Sequence, residues 1–287
     1  MIKLNYINKI KANLKIHSTK KAANILDGSY KSMYKGKSMN FDNLREYTIN
    51  DDIKDIDWKS SARSGSILVK QFVAEKKHNV LLVVDSGIKM NADTDKHENK
   101  KELALYTAGT IGFLAMKGND YVAMIYQGNK VEFKPFKNNL YNLEQYLCDY
   151  HANEYNKETN IEELLKYIVN KIPKRKIVFI ITDIEGINKI ETQTLKKLKF
   201  TSDVFLININ DNFMFGDNIY DVEEKEFIPK VFLKDKRLND VEKFIKEQLI
   251  ENNKKRIHKL NISLTSISSL EEMDKKMIEL LEGHKNE

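Results

Sequence analysis

From Val80 onward, continuous apolar runs alternate with stretches in which apolar residues recur every three or four positions. Val80 to Val84 and Ile177 to Ile181 are uninterrupted, and each stops at a polar end, Asp85 in one case and Thr182-Asp183 in the other. Short runs apolar at every position suit strands covered on both faces, and three-to-four spacing suits helices lying on them. The pattern predicts strands over 80–85, 121–126, 177–182, 204–209 and 261–265, with Gln127-Gly-Asn129 turning into a hairpin edge over 130–136. Helices are predicted over 96–116, 140–150, 160–169, 190–198, 237–258 and 270–281. The rhythm breaks over 210–236, where Phe227 to Leu233 reads as an edge strand because Pro229 cannot donate to a ladder. The fold class is therefore α/β, a mainly parallel sheet with helices on both faces.

Upstream the pattern is poorer. Residues 1–41 predict a short helix around Ile10 to Ile16 and then an exposed loop from Gly28 to Ser38. Residues 42–79 set single apolar positions such as Leu44, Ile53, Ile56 and Trp58 among charges and close on a strand over 67–73. Too few apolar residues lie there for an independent core. The expected division is an N-terminal extension, 1–79, packed on a sheet domain, 80–283, that carries an insertion at about 210–236.

Composition narrows the classes. The chain has 287 residues with 41% hydrophobic and 31% charged positions, which is globular and excludes general disorder. Its formal charge of +6 is unevenly placed: 9 Lys against 1 Asp in 1–41, 7 against 7 in 42–79, and 32 against 34 beyond, or +8, 0 and −2. Lysine outnumbers arginine 43 to 5 in an Asn- and Ile-rich chain, a bias that AT-rich coding produces as readily as a charged ligand does. No apolar run has the length of a membrane span, and the first residues lack the apolar core of a signal peptide. The single cysteine, Cys148, cannot form an internal disulfide and lies in a helical stretch, so a reducing, cytoplasmic setting is expected.

Candidate chemistry starts from the strand ends. Ligands of open parallel sheets sit at the carboxyl ends of the strands. If the strands ending in Asp85 and Asp183 are neighbours, their carboxylates meet, repelling by about 4 kcal/mol at ~4 Å and an effective dielectric near 20. A cation or a proton should then sit between them. Gly36-Lys37-Ser38 has the tail of a phosphate loop, but Lys31 stands where the first glycine belongs and no strand precedes it, so a solvated loop is expected. The cluster Asp51, Asp52, Asp55 and Asp57 could hold a hard cation. Interleaved with Lys54 and flanked by Arg45, Lys59 and Arg63, it reads better as capping and paired residues. Scattered histidines and one cysteine exclude a zinc motif, and no flanked nucleophile is present. The basic N-terminus lacks arginine and an apolar-backed basic face, which disfavours nucleic acid or an anionic surface and favours a solvated face or a protein-docking arm.

The middle of the chain carries a resemblance. Leu44-Arg45-Glu46-Tyr47, Asp51-Asp52, Ile56-Asp57-Trp58-Lys59 and Ala62-Arg63, followed by a strand ending in Asp85, resemble the domain-of-unknown-function-58 family and its von Willebrand factor A-like domain. That resemblance implies a metal-ion-dependent adhesion site in which Asp85 matches the first aspartate, Thr159 the threonine and Asp183 the last aspartate. The site's two serines are replaced by Gly87 and Lys89. Glycine offers no oxygen and an ammonium repels a divalent ion, so at most weak Mg2+ or Mn2+ binding is expected, with Lys89 substituting for the metal or pointing to solvent. The resemblance further implies a non-enzymatic, chaperone-like interaction module working with a MoxR-type AAA+ ATPase. The other readings are a divalent-metal-dependent hydrolase using the Asp51/Asp52/Asp55/Asp57 cluster with Asp85 or Asp183, and a nucleic-acid binder through residues 1–41. Trp58, as a lone tryptophan, is expected to be buried.

Overall fold

The computed structural model describes residues 5–16, 40–49, 51–73, 77–154, 157–158, 160–210, 220–221, 226–227 and 236–283. The chain forms two compact units, Tyr34–Lys77 and the remainder.

The larger unit begins with helix α1 (Asn5–Ile16). In the smaller unit β1 (Asn40–Glu46) is followed by α2 (Trp58–Ser64) and β2 (Leu68–Val73). The larger unit resumes with β3 (Asn79–Val84), α3 (Lys100–Lys117), β4 (Tyr121–Gln127), β5 (Val131–Lys137) and α4 (Leu140–His151). It continues with α5 (Ile161–Lys171), β6 (Lys176–Thr182), α6 (Ile184–Lys189), α7 (Thr192–Thr201) and β7 (Ser202–Ile209). A two-residue pair, β8 (Tyr220–Asp221) and β9 (Glu226–Phe227), precedes α8 (Lys236–His258), β10 (Ser263–Ile267) and α9 (Leu270–Gly283).

The main sheet has six strands in the order β10-β7-β6-β3-β4-β5, all parallel except β5, which turns back on β4. This is the expected α/β architecture. Every residue of β6 is buried, as are Val80 to Val84 of β3, because helices cover both faces. On one face Leu81, Val83, Val178 and Ile180 pack with Leu164, Leu165 and Ile168 of α5 and Leu195 of α7. On the other, α3 approaches closely enough that a Cβ on Gly112 would lie 2.8 Å from Leu143 of α4 and 3.4 Å from Leu82.

Two boundaries differ from the sequence reading. Helix α1, expected with the N-terminal extension, belongs to the sheet unit. Its buried residues are Ile7, Ile10 and Leu14, and a Cβ on Gly109 of α3 would come within 2.4 Å of Ile10. The fully buried carboxylate of Glu144 accepts the backbone N–H groups of Tyr6 and Ile7, both at 2.8 Å, satisfying donors at the helix start that have no intrahelical partner. The helix predicted over 190–198 is α7, which starts two residues later at Thr192, and the short α6 before it was not expected. All of the expected Phe227–Leu233 strand after Phe227, which is in β9, the Gly36-Lys37-Ser38 loop and most of the 210–236 insertion lie outside the described residues.

Within the smaller unit β1 and β2 pair antiparallel, with Arg45 opposite Val69 and Glu46 opposite Leu68. Strand β1 and helix α2 were not foreseen, since their sequences are charged and carry few apolar positions. Trp58 is 64% exposed at the start of α2, correcting the expectation of a buried anchor; Ile56 and Val69 are the buried apolar residues described here.

Candidate functional site

The carboxyl rim of the sheet is built by register. Strands β3 and β6 run side by side with Val84 opposite Ile181, so the chain leaves both strands at the same end. The backbone N–H of Asp85 still donates to the Ile181 carbonyl, 2.9 Å, which fixes where its side chain starts. One carboxylate oxygen of Asp85 accepts the Gly87 N–H at 2.8 Å and the other accepts the Thr182 hydroxyl at 2.5 Å. Its backbone carbonyl accepts the Tyr150 hydroxyl at 2.6 Å, and burial, followed by the nearby Asp85 and Tyr126, pushes that phenol well above its ordinary pKa.

Asp183 caps the short helix α6, accepting the Gly186 N–H on Oδ1 at 2.8 Å. Its Oδ2 accepts the ammonium of Lys100 at 2.8 Å. Asp85 and Asp183 are each 2% exposed and Lys100 is fully buried. Burial acts to raise the Asp183 carboxyl, but the charge and hydrogen bond of Lys100 and the Gly186 N–H outweigh it, leaving the group below the ordinary carboxylate value.

Gly186 lies between the acids. A Cβ built on it would stand 1.9 Å from the Thr182 hydroxyl oxygen and 3.1 Å from Asp85 Oδ2, so only glycine allows this close approach.

Lys100 is the residue that sequence reasoning missed. Its signal was a lysine at the first position of a helix, where the positive end of the helix dipole disfavours a cation. Lys89, expected to neutralise the acids or point to solvent, donates to both oxygens of Glu185 at 2.6 and 2.7 Å, with both side chains partly exposed, and its charge is a minor cause lowering the Asp183 carboxyl. Lys189 pairs with Glu158 at 2.9 Å, and the Ile88 N–H donates to the Lys157 carbonyl at 2.8 Å, tying residues 157–158 to the turn that carries Lys89. Thr159 lies outside the described residues.

This rim does not fit a divalent ion. Both Asp183 oxygens have donors, one of them an ammonium, and Gly87 contributes no side-chain oxygen. Among the described residues no group of three or more His, Cys, Asp or Glu is placed to hold a metal.

The motif segment of the smaller unit is occupied with its own structure. Arg45 grips Asp51 through both guanidinium nitrogens, at 2.7 and 2.5 Å, and Asp51 also accepts the Thr48 N–H. The Arg45 hydrogen bond is the main cause holding the Asp51 carboxyl far below its usual range. Asp52 caps the turn at Lys54, and Asp57 caps α2 at Ser60, both at 3.0 Å. The Ser61 hydroxyl accepts the Leu68 N–H at 2.8 Å, and Gly65 closes α2 with a φ of 76° that favours glycine. Tyr47 and Asp55 are half-buried, whereas Glu46 and Arg63 are exposed. These bonds place Asp51, Asp52 and Asp57 as caps and ion-pair partners. Cys148 is half-buried, and burial, then Glu144, pushes its thiol up, which makes it a poor nucleophile.

Fold and rim together define an α/β protein with a mainly parallel sheet and a closed acid pair at its carboxyl edge. The chain belongs to the family described as "Protein of unknown function DUF58", which matches residues 43–214. Among solved structures it is similar to an aerotolerance-related membrane protein from Bacteroides fragilis NCTC 9343 with multiple mutations to serines, at 12% identity and a TM-score of 0.43, covering 72% of this chain and 99% of that one. It is also similar to proximal thread matrix protein 1 from the mussel byssus, at 12% identity and TM-score 0.44, over 72% and 47% of the two chains. A von Willebrand factor type A protein from Catenulispora acidiphila matches at 8% identity and TM-score 0.41, over 76% and 44%. No curated protein matches this chain. Among the described residues no helix is long and apolar enough to cross a membrane.

Proposed function

We propose that the chain is a non-enzymatic protein–protein interaction module of the von Willebrand factor A type, with a degenerate adhesion site, acting with a MoxR-type AAA+ ATPase in the assembly or maturation of other protein complexes in the cytoplasm. One observation supports this most. The acids at the rim are buried and bonded internally, Asp183 to the Lys100 ammonium and Asp85 to the Gly87 N–H and the Thr182 hydroxyl, while the groups facing outward beside them are the ion pairs Lys89–Glu185 and Lys189–Glu158. Partly exposed charges of alternating sign steer and select a protein partner, whereas bond-breaking needs a reachable group of matched pKa. The partner therefore meets the outer ion pairs and does not touch Asp85 or Asp183. Family membership supports the ATPase assignment, and the caps and ion pairs made by Asp51, Asp52 and Asp57 weigh against the hydrolase reading.

The test is direct binding of the full chain to each purified MoxR-type ATPase of the source organism. We expect measurable affinity that weakens on Lys89→Glu together with Lys189→Glu, chiefly through slower association at low salt. Absence of binding, or binding indifferent to both charge reversals, would overturn the reading.

A further inference from the structure

We infer that Lys100 is a built-in counter-cation, and that Asp85, Asp183 and Thr182 form a latent hard-cation site which this lysine keeps closed. The inference deepens the reading of the rim given above, but it concerns one chain and an ion, with no partner involved.

The acids converge on one residue. Gly186 donates to Asp183 Oδ1 at 2.8 Å, and Asp85 Oδ2 would lie 3.1 Å from a Cβ on the same residue. With each side chain 2% exposed, neither water nor salt screens their repulsion, so a cation or a proton must be held beside them. Lys100 supplies the cation, its ammonium 2.8 Å from Asp183 Oδ2 and wholly buried. The helix itself disfavours a lysine there, because a cation at the start of an 18-residue helix opposes the helix dipole. The acid pair explains it. Lys89 adds its charge to the field that lowers the Asp183 carboxyl, but both oxygens of Glu185 hold its ammonium, whereas that of Lys100 is bonded to Asp183 directly.

Removing Lys100 would strip the ammonium from Asp183 Oδ2, leaving two carboxylates that approach the same glycine and the Thr182 hydroxyl bonded to Asp85. Such oxygens, completed by water, are the donors that Mg2+ and Mn2+ take. The lysine thus makes the rim independent of metal, and docking at this face should be insensitive to chelators.

The test uses Mn2+ alone on the full chain, followed by calorimetry and by the electron paramagnetic resonance signal of the free ion. Lys100→Ala is expected to bind Mn2+ at least about tenfold more tightly than the wild type, since an opposing charge has been removed. The gain should vanish in Lys100→Ala with Asp183→Asn. Should Lys100→Ala fail to fold without metal, recovery of cooperative melting on adding Mn2+ is read instead, with Lys100→Met as a second variant that keeps side-chain volume. A folded Lys100→Ala with no gain, no metal-dependent recovery in either variant, or wild-type Mn2+ binding that is lost on Asp85→Ala would each overturn the inference. A missing ATPase interaction would sink the proposed function and leave this result standing.

Discussion

Gly186→Ala offers the most direct test of the rim's construction, because two physical effects predict opposite signs. In an unconstrained helix, alanine in place of glycine stabilises by about 0.5–1 kcal/mol. At Gly186 the new Cβ would lie 1.9 Å from Thr182 Oγ1 and 3.1 Å from Asp85 Oδ2. Thr182 must rotate away, giving up its hydrogen bond to a buried carboxylate, a loss of about 1.5–3 kcal/mol. Crowding in a packed region adds about 1–3 kcal/mol. The sterics outweigh propensity, and the net destabilisation is about 2–5 kcal/mol, or a fall in melting temperature of roughly 5–15 °C for a unit of this size. Scanning calorimetry and urea titration measure it, with Gly283→Ala as the control, since nothing lies within 4 Å of a Cβ there. Thr182→Ala removes the clashing oxygen, so Gly186→Ala should cost much less in that background than in the wild type. A melting temperature within about 2 °C of wild type for Gly186→Ala, or strict additivity with Thr182→Ala, would refute the geometry argued here.

Three further outcomes are expected. Glu144→Ala leaves the Tyr6 and Ile7 N–H groups without their acceptor, costing about 1–3 kcal/mol, and hydrogen exchange should show α1 opening while β3 and β6 stay protected. The Asp183 carboxyl has a lower pKa folded than unfolded, so its contribution is complete above the unfolded value near ~3.9 and is lost as pH falls through the folded value. Urea midpoints from neutral pH downward should therefore fall more gently below that value in Asp183→Asn than in the wild type, and equal slopes would contradict the assignment. Trp58, 64% exposed and the single tryptophan, should show solvent-like fluorescence readily quenched by acrylamide, and Trp58→Ala should change stability by no more than about 0.5 kcal/mol.

Much of the α/β unit was legible because its strands are buried on both faces, which forces apolar residues into unbroken runs. β6 and β3 emerged from the sequence within one residue of their observed limits. The smaller unit was harder to read, since β1 and α2 are held by the Arg45–Asp51 ion pair, the Asp57 cap and a ladder to β2, none of which leaves a periodic apolar signature. Helix α6 escaped for a different reason: at six residues it is too short to show a helical period.

At the rim, the sequence by itself determined that Asp85 and Asp183 end apolar strands, that glycine and lysine stand at positions 87 and 89, and that a cation or a proton was required if the acids met. The tertiary structure alone decided which charge. Lys100 is 83 positions from Asp183, and Thr182 is 97 from Asp85. Periodicity is a local property of the backbone and reports which face of an element is covered, whereas partners this distant are chosen by strand order and helix docking. A lysine only four positions from Asp85 is therefore held by Glu185, and the direct bond to Asp183 comes from one brought in by a different helix.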